Sequence, residues 1–92
     1  MLLAMIADID PTGIEAFRAY EDRVLALLGR HGGALERRVR SEDGTTEIHL
    51  VSFTGEAGYE AYMADPDRVA ARTALAGVSI DQRVLTVSDV AP

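Results

Sequence analysis

A strand that is apolar on both sides is the hardest part of this chain to accommodate. Residues 45–54 read Thr-Thr-Glu-Ile-His-Leu-Val-Ser-Phe-Thr, with Gly44 before them and Gly55 after. Their β-branched and aromatic side chains suit a pleated, buried surface. Side chains alternate along a strand, so Ile48 and Leu50 point one way while Val51 and Phe53 point the other. Leu2 to Ile9 has the same two-sided character. Both segments therefore belong in the middle of a sheet, covered above and below.

The remaining segments supply cover for one side only. Asp10-Pro11 is a helix start, with a capping carboxylate and a proline suited to the first helical position. Ile14, Phe17, Val24, Leu27 and Leu28 then recur at helical spacing, with Tyr20 beside the stripe. This predicts an amphipathic helix of about five turns, ending at Gly32-Gly33, where positive backbone angles are available. Ala34 to Ser41 reads as a charged second strand with Leu35 and Val39 inward, and Glu42-Asp43-Gly44-Thr45 as the hairpin turn into the third. A second helical stretch starts near Glu56. The residue before Pro66 resists the α conformation, so a kink or restart is expected there. Gly77 ends that stretch near Leu75, and Val78 to Val90 alternates as a fourth strand.

The order is βαββαβ. Right-handed crossovers then give an α+β, ferredoxin-like fold: a four-stranded antiparallel sheet in the order 4-1-3-2, with both helices on one face. Residues 1–92 read as one such domain. The other face is bare, and the expected register places Ile6, Val51, Phe53, Leu85 and Val87 on it. An apolar face of that kind marks an interaction surface, and a symmetric homodimer packed sheet to sheet is the expected solution.

Composition points the same way. A chain of 92 residues makes a marginal core, and small domains lean on disulfides, metals or partner subunits. There is no cysteine, which removes disulfides and thiolate metal sites together. The net charge of −6 disfavours nucleic acid and anionic membrane surfaces. The apolar opening Met1–Ala7 lacks a basic leading region and runs into Asp8 and Asp10, so a first strand fits better than a signal peptide. A cytoplasmic protein with no membrane span is expected.

The chain resembles the dimeric α+β barrel superfamily of ferredoxin-like proteins. Within it the likeness is to small bacterial proteins marked by a Gly-Gly pair after helix one. The residues that carry it are Tyr20 to Leu28, His31-Gly32-Gly33, the Ile48 to Phe53 strand, and Tyr62 to Arg72 with Asp65-Pro66 inside it. The superfamily includes cofactor-free quinone-forming monooxygenases, muconolactone isomerases, haem-dependent chlorite-degrading enzymes and stress-responsive proteins. Its motifs here are structural, and no catalytic residue is carried over by them.

Among candidate residues His49 stands first. The expected register puts it on the dimer-facing side with Glu47, Asp81, Arg83, Arg38 and Asp8, between apolar walls from Val51, Phe53 and Leu85. A neutral imidazole near carboxylates can relay protons at neutral pH. Arg38 and Arg83 can hold a substrate's oxygen atoms, with Asp81 and Phe53 completing the binding surface. The expectation is a small organic molecule in the barrel lumen, handled without a cofactor by a monooxygenase or isomerase. The alternative is a non-catalytic ligand-binding or structural homodimer, with His49 bonded across the interface.

The other motifs reduce to structure. His31 in the last helical turn suits the negative helix end. Asp8 to Gly13 opens like a calcium loop, but Ala19 stands where its closing acid is required. No phosphate-binding glycine pattern occurs, and no metal site is expected from two distant histidines. Arg37 to Arg40 is charge on an edge strand, which discourages edge-to-edge pairing.

Overall fold

The computed structural model describes residues 1–92. The strands are β1 (Leu2–Ile9), β2 (Gly33–Arg40), β3 (Thr46–Phe53) and β4 (Ile80–Val87). They form one antiparallel sheet in the order β2-β3-β1-β4, the predicted topology, with the two most apolar strands central. The helices are α1 (Ile14–Leu25), α2 (Glu56–Met63) and α3 (Pro66–Ala71).

Several boundaries are set by single residues. Asp10 accepts a hydrogen bond from the Thr12 amide at 2.9 Å, but the turn it caps is a 3-10 turn, Pro11–Gly13, and α1 begins at Ile14. The α-helix also stops earlier than its apolar stripe suggests. It gives way after Leu25 to a 3-10 turn at Leu28–His31, and Gly32 closes that turn at φ 70°. Pro66 restarts the second helical stretch as expected, with the Asp65 carboxylate capping the Asp67 amide at 2.8 Å.

The helices lie over Leu3, Met5, Ala7 and Ile9 of β1, which are buried with Phe17, Tyr20, Val24 and Leu28. Leu3, Leu28, Phe53 and Tyr62 pack as one cluster, and Met5, Ala7, Ile9 and Phe17 as another.

One strand faces the opposite way from the sequence expectation. Directly opposed residues share a face, and Leu3 pairs with Val51, Met5 with His49 and Ala7 with Glu47. Val51, Phe53, His49 and Glu47 therefore face the helices and not the bare side. Phe53 accounts for the choice: Gly33 and Gly58 leave room for its ring. A Cβ on Gly33 would lie 2.7 Å from the ring, and one on Gly58 would lie 3.6 Å from it. That socket exists only under α2, and Glu47 and His49 follow Phe53 by parity.

The bare face carries Ile6, Ile48, Leu50, Leu85 and Val87, with Arg83 opposite Ile6 and Asp81 opposite Asp8. A bulge between Leu35 and Arg37 splits Leu35 from Val39, which were expected on one side. The same bulge turns Arg38 and Arg40 toward the helix side, opposite His49 and Glu47.

Candidate functional site

Between the sheet and the helices lies a half-open cavity of about 80 Å³. Its walls are mostly apolar: Leu3, Met5, Val24, Leu28, Val51 and Phe53 among them, with Tyr59 and Tyr62 from α2. Besides the two tyrosines, Glu21 from α1, His49 from β3 and Arg68 from α3 bring ionisable side chains to it. On the β4 side the space adjoins a wider, more polar cleft of about 610 Å³. Glu21, Arg68, Gln82 and Val84 line both spaces. The two spaces together reach the size of an ordinary small-molecule site, roughly 300–1,000 Å³, which the inner one alone does not.

His49 is 1% exposed and Glu47 also 1%. The imidazole Nε2 lies 2.6 Å from Glu47 Oε1, and Nδ1 lies 3.7 Å from Glu21 Oε2. Glu47 also accepts from Arg38 Nε and, at 3.0 Å, from Arg40 Nε. Arg38 extends the chain outward to Asp22, 2.7 Å away. Glu47 is thus held by three donors and His49 is oriented by Glu47. An ionised Glu47 only accepts, so it fixes the imidazole proton on Nε2 and leaves the Nδ1 lone pair toward Glu21 and the cavity.

The surroundings set the charges. Burial pushes Glu21 up to about 7, with help from the nearby Glu47 charge. Burial would also raise Glu47, but the hydrogen bonds from Arg38, His49 and Arg40 outweigh it and hold that carboxyl below its usual range. Burial lowers His49, against the opposing pull of its bond to Glu47. Near neutral pH the group therefore holds an anionic Glu47, a neutral His49 and a Glu21 poised at its own midpoint. Two carboxyls with separated proton affinities, one on each nitrogen side of an imidazole, can pass a proton to or from a bound molecule.

Tyr62 donates to the Val24 carbonyl at 3.0 Å, and its hydroxyl is raised by burial. The Arg68 guanidinium lies over the Tyr62 ring, 5.1 Å from its centroid. Beyond the cavity, His31 meets Asp65 at 2.7 Å, and Arg30 reaches both Asp65 and Asp67. These pairs tie the 3-10 turn to the start of α3, so His31 serves a tertiary contact as well as a helix end. No group of three or more His, Asp or Glu side chains is arranged to hold a metal ion.

The sequence expectation brought His49, Arg38 and Phe53 together on one face. The structure does so too, on the helix side. Arg83 and Asp81 are separated from them by the sheet, although Asp81 borders the outer cleft at the strand's beginning. Arg38 is engaged by Glu47 and Asp22, and Phe53 lines the cavity. Sequence reasoning missed Glu21 and Arg68. Glu21 sits directly after Tyr20, at the flank of the apolar stripe, and Arg68 lies one residue before Val69; a carboxylate and a guanidinium adjoining buried positions were the available signals.

The ferredoxin-like α+β fold is shared with solved structures described as antibiotic biosynthesis monooxygenases and with a cofactor-independent oxygenase. A candidate antibiotic biosynthesis monooxygenase from Bacteroides thetaiotaomicron superposes with a TM-score of 0.80 at 18% identity, covering 99% of this chain and 90% of that one. SnoaB, a cofactor-independent oxygenase from Streptomyces nogalater, gives 0.71 at 17% identity, over 99% and 95% of the two chains. Rv0793 from Mycobacterium tuberculosis gives 0.71 at 18% identity, over the whole of both. No family model and no curated protein sequence matches the chain. No helix is long and apolar enough to cross a membrane.

Proposed function

We propose that this chain is a cofactor-independent monooxygenase acting on a small, apolar, phenol-like molecule held between helices and sheet, with His49 as the proton carrier. One observation carries the reading: an imidazole fixed by a buried carboxylate presents its free nitrogen to an apolar cavity. The fold shared with SnoaB, itself a cofactor-independent oxygenase, supports it.

The chemistry asks little more of the protein. Nδ1 of His49 takes the phenolic proton, and Glu21 at its midpoint receives or returns it. The phenolate so formed is electron-rich enough to reduce dioxygen directly. One oxygen atom enters the ring carbon para to the phenolate, the other leaves as water, and the ring ends as a quinone. The apolar walls keep water off the ring side of the molecule, which strengthens the electrostatics at the reacting oxygen.

The experiment is oxygen uptake by the purified protein with 1-naphthol and related hydroxynaphthalenes, native against His49→Ala. Turnover that disappears in a folded His49→Ala protein supports the assignment; turnover that persists removes His49 from the reaction.

A second reading has its own observation. The ionisable groups around His49 pair off: Arg38 and Arg40 with Glu47, Arg38 with Asp22. A non-catalytic ligand-binding or structural protein is what such pairing favours, and absence of oxygen uptake across the phenol panel points to it. In either case the bare sheet face calls for a second copy. Ile48 and Leu85 stand 37% and 42% exposed there, and a homodimer packed face to face buries them.

A further inference from the structure

Arg68 is a cation without a counterion. It is 9% exposed, forms no ion pair with any carboxylate, and its Nε has no hydrogen-bond partner. Of the arginines in the sheet, Arg38 and Arg40 pair with Glu47, and the unpaired Arg37 and Arg83 are exposed to water. A buried guanidinium left unpaired is costly, and an anionic partner offsets that cost. Glu21, the acid that shares both spaces with Arg68, feels its charge but makes no ion pair with it, and burial raises that carboxyl to about 7, so it offsets the cation only in part near neutral pH.

Its position says what the missing anion is attached to. Arg68 lines the apolar inner cavity and the polar outer cleft alike, and Arg72, one helical turn further on, lines the outer cleft only. Tyr20 stands in the same cleft wall. A ligand that satisfies both spaces has an apolar ring inside and an acidic group at the seam.

We propose that the site takes aromatic carboxylic acids, the ring resting against Phe53, Val51 and Tyr62 and the carboxylate held by Arg68 with Arg72 behind it. This names the substrate class for the site described above and rests on that cavity being the binding site, though not on catalysis there. A planar guanidinium matches a carboxylate through two parallel N–H donors. Its stacking on Tyr62 holds the fork in place.

The test is equilibrium binding, with no turnover required. Benzoate, benzamide and inorganic phosphate are titrated at equal ionic strength into the native protein, following backbone amide shifts of Tyr62, Arg68 and Val84. Benzoate is expected to bind about 10-fold or more tighter than benzamide, as befits a charge-assisted pair. Arg68→Met should erase that preference, and Arg68→Lys should recover part of it; unchanged thermal midpoints show that the variants fold. Benzamide matching benzoate, phosphate matching benzoate, or a preference surviving in Arg68→Met each overturns the proposal. Oxygen uptake with neutral phenols is read separately. It can succeed where acid binding fails, or fail where acid binding succeeds, so the two readings fall independently.

Discussion

His49 Nδ1 and Glu21 Oε2 lie 3.7 Å apart across the wall of the inner cavity. The distance is too long for a hydrogen bond, and both groups are cut off from water by the same apolar walls. Burial, with the nearby Glu47 charge, pushes the Glu21 carboxyl up to about 7.

The first expectation is a pH-dependent cost from that residue. Its carboxyl is raised from 4.5 to about 7 on folding. Between those values the folded state binds more protons than the unfolded state, so this group's contribution to stability falls as pH rises. His49 acts in the opposite sense: its pKa is lowered on folding, so it destabilises as pH falls below the usual imidazole range. The two partly cancel in the native protein, and a comparison with Glu21→Gln separates them. The variant should gain stability over native progressively from about pH 5 to pH 7 and then level off, at no more than about 3 kcal/mol. Urea denaturation at several pH values measures this; a difference that does not change with pH contradicts the burial of an ionisable Glu21.

The second expectation concerns Glu47. Three donors converge on it, and it is the only acceptor shared by Arg38, Arg40 and His49. Glu47→Gln keeps the shape and removes the charge. Arg38 and Arg40 are partly exposed and regain some water, so the loss should be about 2 kcal/mol and not the larger penalty of a wholly buried orphaned charge. His49 should also titrate lower still, because its carboxylate partner opposes the burial that depresses it. Denaturant melts and the NMR titration of the His49 Cε1 proton check the two halves. An imidazole that titrates unchanged would mean that Glu47 does not orient it.

The topology was legible because it follows from periodicity, punctuation and the cover that two-sided strands need. Pro66, Gly44 and Gly77 all mark boundaries where expected, the two glycines at φ 79° and 80°. The facing of β3 was not legible. Both of its sides are apolar, so alternation alone allows either, and two polar residues on one side argued for solvent or a lumen. The decision lies in tertiary fit, where Phe53 needs the space above Gly33 and Gly58. The grouping of Arg38 with Glu47 and His49 was expected, but its place beneath the helices was hidden for the same reason. Arg38 and Arg40 join Glu47 and His49 only because a bulge at Leu35/Arg37 reverses the parity of β2, and a bulge in a charged edge strand leaves little trace in sequence.

That dependence on small residues gives the third expectation. A Cβ on Gly58 would stand 2.2 Å from the His31 carbonyl oxygen, so helix α2 approaches the 3-10 turn as closely as a glycine permits. The obstacle is backbone, which cannot swing aside. Gly58→Ala should therefore cost roughly 2–3 kcal/mol by overpacking. Gly29→Ala is the control, since nothing lies within 4 Å of a Cβ there, and it should be neutral or stabilise by about 0.5 kcal/mol through the unfolded chain. Chemical denaturation of the pair tests this, and equal effects at both positions would contradict the close packing of α2.

The fourth expectation is the second copy. Ile6, Ile48, Leu50, Leu85 and Val87 share the side of the sheet that no helix covers. A face of this kind on a monomer is an association surface, and two equivalent faces close on one another around a twofold axis. Light scattering after gel filtration should show a dimer at micromolar concentration. A carboxylate at Ile48 would be desolvated between the two sheets, at a cost that Arg37, which borders Ile48 at the edge strand, offsets only in part. Ile48→Asp should thus yield monomers with the far-UV spectrum intact, because Ile48 is 37% exposed within the subunit and contributes little to its core. The cavity under the helices lies on the other side of the sheet, so benzoate binding should survive the loss of the dimer. A native protein that runs as a monomer would show that this face has a different use.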